Sequence, residues 1–236
     1  MTGAVDVWSL PLCLAAGELA ALAATLAPDE QERAARLRAD GGPARFVAAR
    51  GQMRRVLAGY LGQAPAAVRF HYSAYGKPDI AGDAGAPPLR FNLAHAGEWA
   101  VLAVSRGRAL GVDIEQLRPL PDAAQIAARF FAPEESAAWA ALPAAEQPAA
   151  FFRCWTRKEA CVKVWGTGLA QPLDRFVVSL APGSPARLLA LDGDPAAAGR
   201  WVLCDLEGPP GYVAALAVEG HDWQLVPRSL SETLAR

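Results

Sequence analysis

The chain has 236 residues, of which 53% are hydrophobic and 20% charged, with a formal net charge of −1. That length supports one large domain or two small ones with an ample core, and near-neutrality excludes a dedicated nucleic-acid binder, which carries a strong basic excess. The opening MTGAVDVWSL has no basic region and carries Asp6, and the apolar run at 19–28 is too short to span a bilayer, so a cytoplasmic protein without membrane attachment is expected. Four scattered cysteines and three histidines support neither a zinc site nor a disulfide framework.

Residues 5–10 alternate like a short strand, and 17–26 suit a helix. After Pro28 a charged helix is expected over 29–38, with acids in its first turn and basic residues later, as the helix dipole prefers. Between 45 and 61, Phe46, Met53, Val56, Leu57 and Tyr60 recur at helical spacing. A strand at 68–71 precedes a turn-rich stretch at 74–88. Strands follow at 89–93, 99–105 and 109–115, with Arg106-Gly107-Arg108 as a hairpin turn between the last two. QLRPLP at 116–121 reads as a linker between halves. Helices are then expected at 122–130, 133–142 and 147–165, the last stopped by Gly166 as a C-cap. From Leu173 onward come short strands broken by Pro and Gly. The fold class is α+β.

Several segments offer chemistry. In ALGVDIEQ (109–116), strand geometry turns Val112 and Ile114 to the core and puts Asp113 and Glu115 together on the other face. Two carboxylates that close repel unless something positive intervenes. The segment is either an exposed edge with solvated acids or a set of oxygen ligands for a divalent cation. In CWTRKEACVKVWG, Trp155, Glu159 and Lys163 are four apart on one helix face. Glu159 and Lys163 suit a surface ion pair. The surrounding Phe151, Phe152 and Trp165 also make Glu159 a candidate metal ligand or raised-pKa base. His95, in FNLAHAGEW, is either a hydrogen-bonded structural residue or a phosphate donor.

The charge is unevenly spread. Positions 41–78 hold no Asp or Glu, yet carry Arg45, Arg50, Arg54, Arg55, Arg69 and Lys77, with Arg33, Arg36 and Arg38 just before them. This is either a basic helix face balancing acids elsewhere or a pocket for a multiply charged phosphate ligand. Gly76, before Lys77, would let the backbone approach such a ligand. No G-x-x-x-x-G-K-[ST] loop, dinucleotide fingerprint or G-x-S-x-G is present. A D…E-x-K metal nuclease is disfavoured because Glu159 and Lys163 are four apart on a helix.

In order, YGKP (75–78), FNLAHAG (91–97), GVDIE (111–115), RFF (129–131) and WTRKEACVK (155–163) resemble the 4′-phosphopantetheinyl transferases of the surfactin-synthetase type, over about residues 28–176. The resemblance implies two similar α+β halves, 1–115 and 116–236, related by a pseudo-twofold axis with the active site in the cleft between them. It implies transfer of the 4′-phosphopantetheine of coenzyme A to a serine of an acyl or peptidyl carrier protein, releasing adenosine 3′,5′-bisphosphate. Mg²⁺ would sit on Asp113, Glu115 and Glu159, of which Asp113 and Glu115 are expected on a non-core face. Coenzyme A phosphates would meet Arg33, Lys77, His95 and Lys163, with Lys158 close by. Glu159 is the candidate base, assisted by Lys163, and the carrier would dock about residues 120–131 of a monomer. One departure is that Ala94 and Ala96 flank His95 where the family usually has hydroxyl residues. That leaves an alternative, a catalytically impaired coenzyme A or carrier-protein binding module.

Overall fold

The computed structural model describes residues 3–39, 41–82 and 87–230, so part of the expected turn-rich stretch, 83–86, lies outside the described residues. The first half runs β1 (Gly3–Pro11), α1 (Ala16–Ala23), α2 (Pro28–Arg36), α3 (Gly42–Leu61), β2 (Phe70–Tyr72), β3 (Pro78–Ile80), β4 (Leu89–Ala96) and β5 (Trp99–Arg106). The second runs β6 (Leu110–Gln116), α4 (Ala123–Phe130), α5 (Pro133–Ala140), α6 (Gln147–Trp165), β7 (Phe176–Val178), β8 (Leu188–Leu191), α7 (Pro195–Ala198), β9 (Trp201–Leu206), β10 (Tyr212–Glu219) and β11 (Trp223–Arg228). The α+β class is as expected, and α6 ends where Gly166 adopts the left-handed conformation at φ 71°.

Two sheets stack face to face, each backed by a long helix. The first has the order β11-β1-β5-β4, and the second β6-β10-β9. On the outer face of the first sheet, Met53, Val56 and Leu57 of α3 pack with Trp8, Leu10 and Leu102. On the outer face of the second, Phe151, Ala160 and Val164 of α6 pack with Ala215 and Ala217. Between the sheets lie Val5, Val7, Val101 and Ala103 from one, and Val112, Ile114, Leu216 and Val218 from the other. Both faces of β5 are therefore covered, which accounts for its unbroken apolar run AVLAV.

This stacking corrects two expectations. Arg106-Gly107-Arg108 is not a hairpin turn: β5 pairs with β1 and β4, whereas β6 pairs with β10. Val112 and Ile114 face the first sheet, so β6 lies over it instead of extending its edge. The hairpin is β4–β5, turned by Gly97-Glu98. The sheets also divide one strand earlier than the split at 115/116, because β6 belongs to the second sheet, and β11 returns to lie parallel to β1 in the first. Asn92 of β4 reaches across, its Oδ1 accepting the Val112 N–H at 2.8 Å.

The other face of β6 is roofed by α6 at backbone distance. A Cβ on Gly111 would stand 2.3 Å from both the Ala160 carbonyl oxygen and the Val164 nitrogen. Only glycine fits there, and the fit brings Asp113 under the helix. Gly111→Ala should therefore destabilise the protein by about 2–3 kcal/mol or more, as overpacking against backbone does. A urea midpoint close to the parent's would show that helix and strand separate more easily than this contact implies.

Candidate active site

The motif on α6 splits into two faces. Arg157 is fully buried and binds both carboxylate oxygens of Asp205, at 2.8 and 2.6 Å, and the Ser179 carbonyl at 2.5 Å. Lys158, also fully buried, places Nζ 2.7 Å from Glu135 Oε2, 2.7 Å from the Leu173 carbonyl and 2.6 Å from that of Phe176. An ammonium has three protons, and here each has an oxygen. Lys158 is thus a strut holding the helix to its own half, which corrects its placement among the coenzyme A contacts.

The opposite face carries Trp155, Glu159 and Lys163 into a cavity of about 500 Å³. Both halves line it: Tyr75, Lys77, Pro78 and Asn92 come from the first, Phe130, Val162 and Gly166 from the second. The cleft expected between the halves is present, with three of the expected residues, Lys77, Glu159 and Lys163, in its wall. Phe130 meets Trp155 edge to face at 6.1 Å and forms an aromatic flank one turn from Glu159.

Lys163 does not pair with Glu159. Its Nζ is 2.5 Å from Asp113 Oδ1. Asp113 is only 7% exposed, contrary to the expectation of a non-core face, because α6 covers it. Its second oxygen, Oδ2, is buried with no hydrogen-bond partner. Burial raises the Asp113 pKa, against the pull of Lys163. Burial first, then the Asp113 charge, raises both Glu115 and Glu159. These acids are close enough to repel one another, and one oxygen lacks a partner, so their chemistry fits a divalent cation. Among the described residues no three His, Cys, Asp or Glu side chains are grouped closely enough to hold a metal ion as they stand. A hard cation here would complete its shell with water or ligand oxygens, as magnesium does.

The basic segment divides as well. Buried Glu30 holds Arg54 Nε at 2.6 Å and Arg50 Nε at 3.0 Å, and Arg54 also donates to the carbonyls of Pro65 and Val68. Both guanidinium groups lie over Phe70. These two arginines are core struts. Burial lowers the pKa of His95, and the charges of Lys163, Arg33 and Arg45 lower it further, so His95 sits in the positive field of those three. Arg45 was one basic residue among many in the sequence, and nothing there singled it out. Asn92 and Phe130 lie within the FNLAHAG and RFF motifs, and Phe130 within the expected docking stretch, but their places in the cavity wall depend on which strand and helix meet. Lys77 Nζ donates to the Lys163 carbonyl at 2.5 Å and to the Leu110 carbonyl at 3.2 Å, and burial lowers its pKa to about 8.

Comparison with known proteins gives a consistent picture. Residues 109–217 match the 4'-phosphopantetheinyl transferase superfamily, and residues 15–107 match the N-terminal region of 4'-phosphopantetheinyl transferase. The two matches meet in the segment that crosses between the sheets. The chain is 40% identical over 220 residues to the 4'-phosphopantetheinyl transferase HetI of Nostoc sp., covering 93% of this chain and 90% of the relative. It is 32% identical over 180 residues to a 4'-phosphopantetheinyl transferase of Bacillus subtilis, covering 76% and 78%. Among solved structures, the Thermotoga maritima holo-[acyl-carrier-protein] synthase overlaps 48% of this chain and 62% of its own at 18% identity and a TM-score of 0.35.

The Asp113–Lys163 pair is open to a stability test. Lys163→Met would leave a buried carboxylate without its partner, which should destabilise the protein by roughly 2–3 kcal/mol at pH 7.5. Losing the cation raises the Asp113 pKa still further above its unfolded value, so the folded state takes up a proton more readily as pH falls. The penalty is then relieved below that pKa. Urea denaturation should show a smaller difference from the parent at pH 5.5 than at 7.5. An equal difference at both pH values would mean that Asp113 does not depend on Lys163.

Proposed function

The chain belongs to the 4′-phosphopantetheinyl transferase superfamily, and from that premise we propose which of its residues carry phosphopantetheine from coenzyme A to a carrier protein. It is a transferase of the holo-carrier-protein synthase kind. The observation that carries the residue assignment is the orphaned, buried Oδ2 of Asp113, whose other oxygen is held by Lys163 of the cleft wall.

Asp113, Glu115 and Glu159 would hold a magnesium ion, whose chemistry is to neutralise charge on phosphoryl oxygens. His95 and Arg33, joined by Arg45, would hold the ribose phosphate and pyrophosphate of coenzyme A. Low in pKa among cations, His95 would offer a neutral N–H to a phosphate oxygen. Glu159, raised in pKa by burial and by Asp113, is the base that takes the serine proton. The serine oxygen then forms its bond to phosphorus, and the phosphorus–oxygen bond to the leaving adenosine 3′,5′-bisphosphate breaks. The electron pair stays on that leaving phosphate, and Lys163 offsets the charge that develops. Lys158 is left out of this scheme because its protons are bound elsewhere.

The carrier would meet α4 and the segment before it, where Phe130 joins the cavity wall and Arg118 and Arg129 lie against Phe152 and Phe130. Both halves of the site come from one chain, which supports a working monomer. No described helix is long and apolar enough to cross a membrane. Nothing favours the impaired binding module. Ala94 is buried between the sheets and Ala96 packs against the same core, on the strand face opposite His95, so the missing hydroxyls are not beside its ring.

Mass spectrometry of apo acyl and peptidyl carrier proteins, incubated with this protein, Mg²⁺ and coenzyme A, should show the added phosphopantetheine, and excess chelator should abolish it. Carriers left unmodified would overturn the reading. Glu159→Gln should slow the chemical step by roughly 10²–10⁴-fold. If excess Mg²⁺ restores that variant's rate, the base is another group.

The phosphate assignment has its own test. A charge-assisted hydrogen bond to phosphate is worth about 1.5–3 kcal/mol, so Arg33→Ala and removal of the 3′-phosphate from coenzyme A should each weaken binding roughly ten- to a hundredfold. Combined, they should be less than additive, because each removes the same interaction. Full additivity in calorimetric titrations would show that Arg33 does not touch that phosphate.

A further inference from the structure

We infer that Lys77 is a positioning residue, a clasp from the first half that fixes the catalytic helix against the metal-binding strand, and not a phosphate ligand. The inference rests on the transferase reading above. It begins with the end of α6. The last four carbonyls of a helix have no partner within it. Gly166 N–H satisfies Val162 at 3.0 Å, and the Lys163 carbonyl receives the Lys77 ammonium at 2.5 Å. A cation at that end also complements the helix dipole. Lys77 therefore caps α6 from another part of the chain.

The same Nζ donates to the Leu110 carbonyl, the first residue of β6 and three before Asp113. One ammonium thus binds the main chain of Lys163 and the start of the strand bearing Asp113. Those are the two elements whose side chains meet at 2.5 Å. The loop that delivers Lys77 is itself braced: Gly76 N–H donates to the Ser73 carbonyl at 2.9 Å, Ser73 N–H to the Lys77 carbonyl at 2.9 Å, and Lys77 N–H to Ser73 Oγ at 3.1 Å. Lys77 also stands in the wall shared by the site cavity and a second one of about 440 Å³ behind it. A phosphate that took this ammonium for itself would uncap the helix next to the base.

The test uses the whole protein, first confirming that the parent modifies a carrier; a parent that does not transfer would sink the functional reading and not this inference. Lys77→Met keeps the stem and removes the donor. Misplacing catalytic groups lowers turnover, so kcat should fall about tenfold or more while the KM for coenzyme A and inhibition by adenosine 3′,5′-bisphosphate stay within about threefold. The Mg²⁺ concentration giving half-maximal rate should rise, and Lys77→Arg, which keeps a donor, should recover part of kcat. A roughly tenfold rise in KM with kcat intact would make Lys77 a phosphate ligand after all. Unchanged kcat and KM would make the clasp irrelevant to catalysis. Should Lys77→Met not fold, Lys77→Gln is judged by the same comparison, and insolubility of both would assign Lys77 to the fold and overturn the inference.

Discussion

The close approach of α6 to β6 is the constraint on which the site depends. Backbone meets backbone over Gly111, with no room for a Cβ. A helix held that near to a strand puts Lys163 directly over Asp113 and leaves one carboxylate oxygen covered and without a partner. The helix is held from its other side as well. Arg157 and Lys158 are fully buried, and each is satisfied by a carboxylate and by carbonyls of its own half. Buried charges tolerate few arrangements, because each displaced partner exposes an uncompensated charge to a poor solvent. The helix is therefore fixed in rotation, with Trp155, Glu159 and Lys163 turned to the cleft.

The first half uses the same device with the signs reversed. There a single buried acid, Glu30, gathers two arginines from α3 and joins α2 to it, and α2 carries Arg33. Part of the apparent phosphate pocket is thus internal neutralisation. A second positive group gathers around His95, where Arg33 and Arg45 lie close enough to lower its pKa. Glu159 and Lys163 enter the cleft from the second half and Lys77 from the first, so its wall carries charges of both signs.

Much of this could be read from the sequence. The amphipathic spacing of α3 and α6, the Gly166 stop and the strands with periodic apolar residues all depend on local rules. The errors share one cause, which is that sequence proximity does not reveal which face is covered. Arg106-Gly107-Arg108 looks like a hairpin turn because its flanks are both strands, yet the flanks stack instead of pairing. Asp113 looks exposed because it alternates with Val112 and Ile114, but a helix lies on that side. Lys158 and Lys163 carry the same chemistry five residues apart, which at 3.6 residues per turn sets them about 140° apart around the helix. That angle was available in the sequence and separates the strut from the residue in the cavity wall. Lys77 could not have been resolved that way, since its partners are main-chain carbonyls far along the chain.

The parallel pairing of β11 with β1 has a consequence for the order of assembly. It joins Gly3 to Trp223 and Trp8 to Arg228, and Arg228 Nε lies 2.8 Å from the Asp6 carboxylate. During synthesis β1 emerges first and its partner on that side emerges more than two hundred residues later. Until then one edge of the first sheet has unpaired N–H and carbonyl groups, a template for pairing with the wrong strand. Contacts so distant along the chain close slowly, because the loop entropy must be overcome before they form. The half that emerges first is thus the half that finishes last: a chain free of the ribosome only up to residue 222 would hold β1 open while the second sheet, complete at Glu219, could already fold.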